Sequence, residues 1–359
     1  MNRLDRYIGL TVAVTMTMAV IVLLGVQMLF TFLEQTEDIR NDYTIAHVAR
    51  FVFYSLPRIF YESIPYAALI GCLAGVGLLA NNNELIVMRS VGVSTWSITR
   101  SALKPALAMI VLGLVVGELV LPDFERMARV DRLRAMSEGS AITEEFGVWF
   151  REGNVYMHFD MVGKDGGLEG ISHYEFAEDQ SLVRTLYAKK ATFQEQDNGQ
   201  LKWLLEDVTL TGLSDDNAVV LEEPWREWQT SLTPDLISTE IAVQPDKMSI
   251  GELNSKIEYM QSQGLNSSKF ELGFWGKVLQ PLATISLVLV GISFVFGPLK
   301  EATMGMRVFS GIIIGVLFEF VKNLLSPASL VFGFSPVIAV VIPIAVCFVS
   351  GCYLLRRAN

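Results

Sequence analysis

The chain has 359 residues, of which 51% are hydrophobic and 18% charged, with a formal net charge of −10. Soluble globular chains carry about a quarter charged residues, so an ordinary soluble enzyme is excluded, and the acidic balance excludes a basic nucleic-acid binder. The acidity is local: residues 123–271 hold 28 Asp and Glu against 14 Lys and Arg, and the remainder holds 10 against 14.

Six apolar runs, at 8–32, 59–80, 102–122, 272–296, 308–326 and 332–355, flank that acidic insert three and three. Each is long enough to cross the ~30 Å hydrocarbon layer as a helix. The expected organisation is transmembrane helices 1–3 in residues 1–122, a soluble domain in 123–271 and transmembrane helices 4–6 in 272–359. The first run is too long for a signal-peptide core and no small-residue cleavage pattern follows it, so it reads as a retained helix.

Basic residues orient the bundle. Arg3, Arg6, Arg89, Arg100, Lys104, Lys300, Arg307, Arg356 and Arg357 fall on one side. Arg40, Arg50 and Arg58 lie on the other among Glu34, Glu37, Asp38 and Asp42. Both termini are therefore expected in the cytoplasm and 123–271 outside it.

The second run carries Pro57 and Pro65 and a small-residue stretch, Gly71, Ala74, Gly75 and Gly77. Small residues let helices approach closely in lipid, either within the chain or at a subunit interface. The cytoplasmic loop after it contains Glu84, Leu85, Met88, Arg89 and Gly92 behind three asparagines. Asn suits a helix N-cap, Glu the first turn and Gly the end. Leu85, Met88 and Val91 share one side by spacing. Such a helix is either a plain connector or one that lies on lipid or docks in a partner's groove.

The third run ends near Pro122, and 123–138 reads as a helix leaving the membrane. It carries Arg126, Arg129 and Arg132 on one stripe, with Arg134 nearby. Arginine suits bidentate phosphate binding; headgroup anchoring or pairing with Glu125 and Asp131 are the plainer readings.

The insert then changes period. Val148 and Phe150, the set Val155, Met157 and Phe159, the set Leu201, Trp203 and Leu205, and the pair Val208 and Leu210 alternate with polar residues. Turns fall at Glu152-Gly153-Asn154 and Asp197-Asn198-Gly199. Period-two alternation broken by such turns predicts half-buried strands, about eight to ten of them in a sandwich or jelly roll. A helix near 249–262 leads back to the membrane.

Glu118, Glu319 and Lys322 lie at membrane depth, where charges are functional or paired; Glu319 and Lys322 have the spacing of a helical pair. Cys72, Cys347 and Cys352 sit in apolar runs with no ligand spacing, so no metal is expected. His47, His158 and His173 are isolated, and no nucleophile elbow or phosphate loop occurs. No catalytic set is expected.

The segment Glu84-Leu85-Ile86-Val87-Met88-Arg89 with Gly92 resembles the coupling helix of the lipopolysaccharide-export permeases, the LptF/LptG family. Four further stretches resemble that family, and the five stand in its order: Ile64-Pro65-Tyr66-Ala67-Ala68-Leu69-Ile70-Gly71; Gly117-Glu118 before Pro122; Met127-Ala128-Arg129 with Arg132; and Phe296-Gly297-Pro298-Leu299 with Met304-Gly305. The Phe-Gly-Pro-Leu loop looks like the G branch, and the likeness in topology covers the whole chain.

The resemblance implies a membrane α-helical bundle of six transmembrane helices with an all-β jelly-roll domain inserted between helices 3 and 4. It implies a permease subunit, not an enzyme, in the inner membrane of a Gram-negative bacterium. Such a subunit is half of an ABC exporter that extracts lipopolysaccharide from the outer leaflet and passes it to a periplasmic bridge. The implied partners are an LptF-like permease, an LptB-like ATPase dimer that uses the ATP, and an LptC-like single helix near helix 1. The chain itself binds no cofactor on this reading. Glu84, Leu85, Met88, Arg89 and Gly92 would contact the ATPase, and Arg126, Arg129, Arg132, Arg134, Glu118 and Lys322 the lipopolysaccharide. Relatives often carry Lys near the outer end of helix 1; here Thr31-Phe32-Leu33-Glu34, Glu37 and Asp38 stand there, which shifts phosphate binding onto Arg129 and Arg132. The alternative is a membrane-anchored scaffold or sensor whose β-domain binds a partner strand.

Overall fold

The computed structural model describes residues 3–357 apart from 38, 40–42, 137–147, 163–166, 178, 180, 196–200, 215–216, 231, 233–243, 263 and 298–301. Each apolar run is a helix: α1 (Arg3–Glu37), α3 (Leu56–Asn81), α5 (Thr95–Leu119), α8 (Ser268–Phe296), α9 (Met304–Phe332) and α10 (Pro336–Arg357). All six are long and apolar enough to cross a membrane. A backbone in lipid must satisfy its own polar groups, and continuous helices do so. The shorter helices are α2 (Ile45–Tyr54), α4 (Glu84–Ser90), α6 (Leu121–Met136) and α7 (Ile250–Ser262), with a 3-10 turn at Pro245–Lys247.

α3 and α8 are the buried pair of the bundle, while α1, α5, α9 and α10 keep most of their surface outside it. The small-residue stretch of α3 is used within the chain. A Cβ on Gly71 would overlap the Met16 backbone, and one on Gly75 would come within 2.9 Å of the Val12 Cα. The approach is sealed by Thr15, whose hydroxyl donates to the Gly71 carbonyl at 2.7 Å. Leu69, Leu73 and Val76 of α3 join Leu287, Val288 and Ile292 of α8 in one core.

α2 lies in the polar stretch between the first two apolar runs. It packs on α6 through Arg50–Asp131 (3.2 Å), Tyr54 against Phe124 and Arg132 over Phe51.

The described β-domain is one six-stranded antiparallel meander, formed by β1 (Val148–Glu152), β2 (Val155–Val162), β3 (Leu168–Phe176), β4 (Leu182–Glu195), β5 (Leu201–Ser214) and β6 (Asn217–Gln229). Glu152 pairs with Val155 across Gly153-Asn154, and Gly153 takes φ +59°, so the first expected turn is present. The second, Asp197-Asn198-Gly199, lies outside the described residues. The described strands number six rather than eight to ten, because β4 and β5 each run for 14 residues. The two alternating patches at 201–205 and 208–210 belong to the single strand β5. Asp207 at φ +52° interrupts its period opposite the edge strand's Pro224 without ending it. Phe150, Met157, Phe159, Ile171, Trp203 and Leu205 form the domain's core, and the Trp203 indole donates to the Leu232 carbonyl at 2.9 Å.

Gly71→Ala overpacks the α1–α3 contact and is expected to cost about 1–3 kcal/mol. Gly25, with nothing within 4 Å of an added Cβ, is the control, and Gly25→Ala should leave stability unchanged or slightly higher. Thermal aggregation midpoints of the detergent-purified chain measure both; equal midpoints would show that α1 is not held by this approach.

Candidate functional site

The bundle's two ends differ. At one end lie the start of α1, the α3–α4 corner and the starts of α5 and α9. Asp5 accepts from the Ser101 hydroxyl at 2.8 Å and pairs with Lys104 at 3.6 Å. α4 follows α3 after two asparagines. Asn83 turns the chain at φ +60° and makes no side-chain cap bond; its carbonyl instead accepts from the Ile86 and Val87 amides. Asn82, at 3.3 Å, donates to Glu84. The N-cap expected from the asparagine run is thus a backbone turn.

Leu85 and Met88 are buried in the same core as Leu73, Val76 and Leu79. They anchor α4 to its own bundle. Val91, expected on their side, falls beyond the helix end and is exposed, as are Ile86 and Val87. Arg89 is exposed at the same end. Gly92 takes φ +88°, a region that favours glycine, and closes the turn with its amide on the Arg89 carbonyl. The outward apolar set is Ile86, Val87 and Val91. The signal that separates it from the anchors is the helix's phase against α3, which spacing alone leaves open.

The opposite end gathers α2, the α5–α6 junction, the 3-10 turn, α7 and the start of α8 around an ionic network. Glu125 of α6, 2% exposed, receives Arg58 of α3 at 2.6 Å and lies 3.9 Å from Lys247. Burial pushes the Lys247 amine below its ordinary value, and Glu125 opposes that shift. A buried carboxylate needs such partners.

Glu118, expected to face lipopolysaccharide, instead accepts the first amides of α7, from Ile250 at 2.9 Å and Gly251 at 3.3 Å. A carboxylate at a helix N-terminus satisfies unpaired donors and complements the dipole. Ser249 and Glu252 close a capping box on the same turn, and Glu252 also receives Arg126. Lys277 of α8 reaches the Gly117 carbonyl at 3.4 Å and the Tyr61 ring.

The arginine stripe is therefore shorter than the spacing suggested. Arg126 is committed to Glu252. Arg132 lies 5.7 Å from the Phe51 ring centre. Arg129 is half-buried, with no ion pair among the described residues. The Arg134 side chain lies outside the described residues. Asp131 serves Arg50 and Glu125 serves Arg58, so neither balances the stripe. Within the membrane span, Lys322 pairs with Glu319 at 3.0 Å, and Glu319 also accepts the Tyr66 hydroxyl. The helical pair expected there is present, with a partner on α3.

The β-domain holds a cavity of about 400 Å³ lined by Met157, His173, Leu210 and Trp228, with Glu152 and Arg184 among its polar residues. His173 packs on the Trp228 ring at 4.6 Å. Burial pushes its imidazole down to about 4 from 6.5. The folded chain thus binds fewer protons than the unfolded chain between those values, and stability present above pH 6.5 is lost as pH falls toward 4. The loss over that window is about 3 kcal/mol. His173→Phe should flatten it, as read by tryptophan-fluorescence unfolding of the full chain at neutral pH and at the window's lower end; an unchanged pH slope would remove His173 as its origin.

Among the described residues no cluster of His, Cys, Asp and Glu could hold a metal. Compared with known proteins, residues 6–357 match the model of a family described as the lipopolysaccharide export system permease LptF/LptG. The chain is 33% identical over 358 residues to the lipopolysaccharide export system permease protein LptG of Escherichia coli, covering 99% of this chain and 98% of that one. It is 32% identical over 357 residues to the protein of the same name from Haemophilus influenzae, covering 99% of each. Six apolar helices around a central β-domain, over the full length of such relatives, are the build of a multi-pass inner-membrane protein, and the chain belongs to the LptF/LptG family of lipopolysaccharide export permeases.

Proposed function

We propose that this chain is one transmembrane half of an ABC exporter. It takes lipopolysaccharide from the outer leaflet of the inner membrane and passes it to a periplasmic bridge. A separate cytoplasmic ATPase dimer docks on α4, an LptF-like permease forms the other half, and an LptC-like helix lies near α1. Both termini are cytoplasmic and residues 123–271 periplasmic.

The observation that carries this reading is the division of labour in α4. Two buried anchors, Leu85 and Met88, fix the helix to the bundle, while Ile86, Val87 and Val91 stand exposed beside Arg89. A short helix held rigidly from behind with an apolar front suits insertion into a partner's groove at small ordering cost. It stands at the end where the basic residues Lys104 and Arg307 also lie, the side that positive-inside bias makes cytoplasmic. The ATP site then belongs to the partner.

At the opposite end, Arg129 and Arg132 are the proposed lipopolysaccharide contacts. They stand on α6 where the chain leaves the hydrocarbon layer, a position suited to lipid phosphates. Glu118 and Arg126 leave the substrate set because their bonds are made within the chain.

One co-expression experiment with the ATPase, the LptF-like permease and the LptC-like subunit tests both ends. Ile86→Asp with Val87→Asp should reduce the co-purified ATPase about tenfold or more at an unchanged yield of this chain. Met88→Asp should lower the chain's own yield, because it places a charge in the core. Arg129→Glu with Arg132→Glu should keep the ATPase and cut photocrosslinking to lipopolysaccharide. Full ATPase retention by the first variant would remove α4 as the docking element; wild-type crosslinking by the arginine pair would remove that stripe from the substrate path.

A further inference from the structure

α9 touches α3 along residues four apart. Gly311 lies against Leu73 and Gly315 against Tyr66 and Leu69. Glu319 accepts the Tyr66 hydroxyl beyond them. At the other end Arg307 is 2% exposed, and its Nη1 donates to the Gly77 carbonyl at 2.7 Å.

These contacts differ in kind. Gly311 against Leu73, and Gly315 against Leu69 and the Tyr66 ring, pack closely with no hydrogen bond of their own, so α9 can tilt there without leaving a polar group unpaired. Most of the remaining surface of α9 is apolar and exposed, including Phe309, Ile313, Val316 and Phe320. Arg307 is different. A buried guanidinium away from water must keep its acceptors, so the carbonyl and the first turn of α9 move as one body.

The acceptor lies beside α4. Gly77 is four residues before Asn81, the last residue of α3, and α4 starts at Glu84. The fit is tight: a Cβ on Gly77 would come within 2.9 Å of Arg307 Cδ and 3.6 Å of Met304 Sδ. The absence of a side chain at Gly77 is what admits the arginine.

We propose that Arg307 is a positioning residue that carries the displacement of α4, through the end of α3, to the lipid-facing helix α9. This rests on the reading that α4 docks on an ATPase. In that arrangement nucleotide-driven movement of α4 shifts the Gly77 carbonyl, and Arg307 draws the start of α9 with it. Tyr66–Glu319 keeps the outer contact, so α9 tilts instead of translating.

The test uses the complete exporter complex in lipopolysaccharide-loaded proteoliposomes, with Arg307→Met, Gly77→Ala and Arg307→Lys. ATP hydrolysis and lipopolysaccharide released per ATP are measured separately. Arg307→Met and Gly77→Ala should assemble and hydrolyse ATP as wild type does, while release per ATP falls about fivefold or more, the lower range of coupling between sites. Arg307→Lys keeps the charge and one donor and should recover part of that ratio. An unchanged ratio in Arg307→Met would overturn the proposal. So would assembly, hydrolysis and release falling together in all three variants, since that marks a purely structural role. A wild-type complex that lacks the ATPase would instead overturn the exporter reading, and the proposal with it.

Discussion

Close backbone approach to α3 is the constraint on which the rest of this molecule depends. In hydrocarbon, apolar side chains gain little by exchanging lipid for protein, so helices associate through packing and interhelical hydrogen bonds. α3 supplies both. Gly71 and Gly75 admit α1 on one side, with Thr15 bonded to the Gly71 carbonyl. Gly77 admits Arg307 of α9 on another, and Leu69 and Leu73 meet Gly291 of α8. A larger side chain at Gly71 or Gly75 would meet the α1 backbone and push that helix outward, so the sequence of α3 fixes where α1 stands.

The charge network at the end opposite α4 has a different physical basis. The two segments that connect the β-domain to the bundle are α6, on the way out, and the 3-10 turn with α7, on the way back. They are tied to each other and to the membrane helices by Arg58–Glu125–Lys247, by Arg126–Glu252 and by Glu118 on the α7 amides. Around the buried Glu125 such a pairing adds little net stability over an apolar substitute, yet removing its partners would leave a buried charge uncompensated, at a cost of roughly 3–5 kcal/mol. Its consequence is geometric: α6, the 3-10 turn and α7 are held in one position on the bundle.

Much of this was legible in the sequence. Apolar length fixed the six spans, because the hydrocarbon layer allows no shorter solution. Period-two alternation placed β1, β2 and β5, and the helical pair Glu319–Lys322 was visible from spacing. What was not legible depends on contacts between distant segments. α2 has helical periodicity but sits in a charged loop, and its partner α6 lies some seventy residues on, as Arg50–Asp131 shows at a separation of 81. Leu85 and Met88 looked like a partner's anchors because spacing gives a face without saying what covers it. Arg126 and Glu118 looked free because Glu252 and the α7 amides reach them across the whole β-domain, separations of 126 and 132. The change of phase between Leu205 and Val208 has its cause in Asp207, a single left-handed residue that shifts the alternation without ending the ladder.

The two ends of the bundle are mechanically joined by one element. α3 has 26 residues and so spans about 39 Å, more than the ~30 Å hydrocarbon layer. It carries α4 and the Gly77 carbonyl at one end and Tyr61 and Arg58 at the other. It is also among the most buried of the spans, and a close-packed core transmits displacement with little loss. α3 therefore links α4 and the start of α9 to the ionic network at the opposite end through one continuous helix. Pro65 lies midway, where a helix loses one backbone hydrogen bond and bends most easily. Tyr66, the residue that holds Glu319, is its immediate neighbour, so any bend at Pro65 acts first on the outer attachment of the helix that packs least.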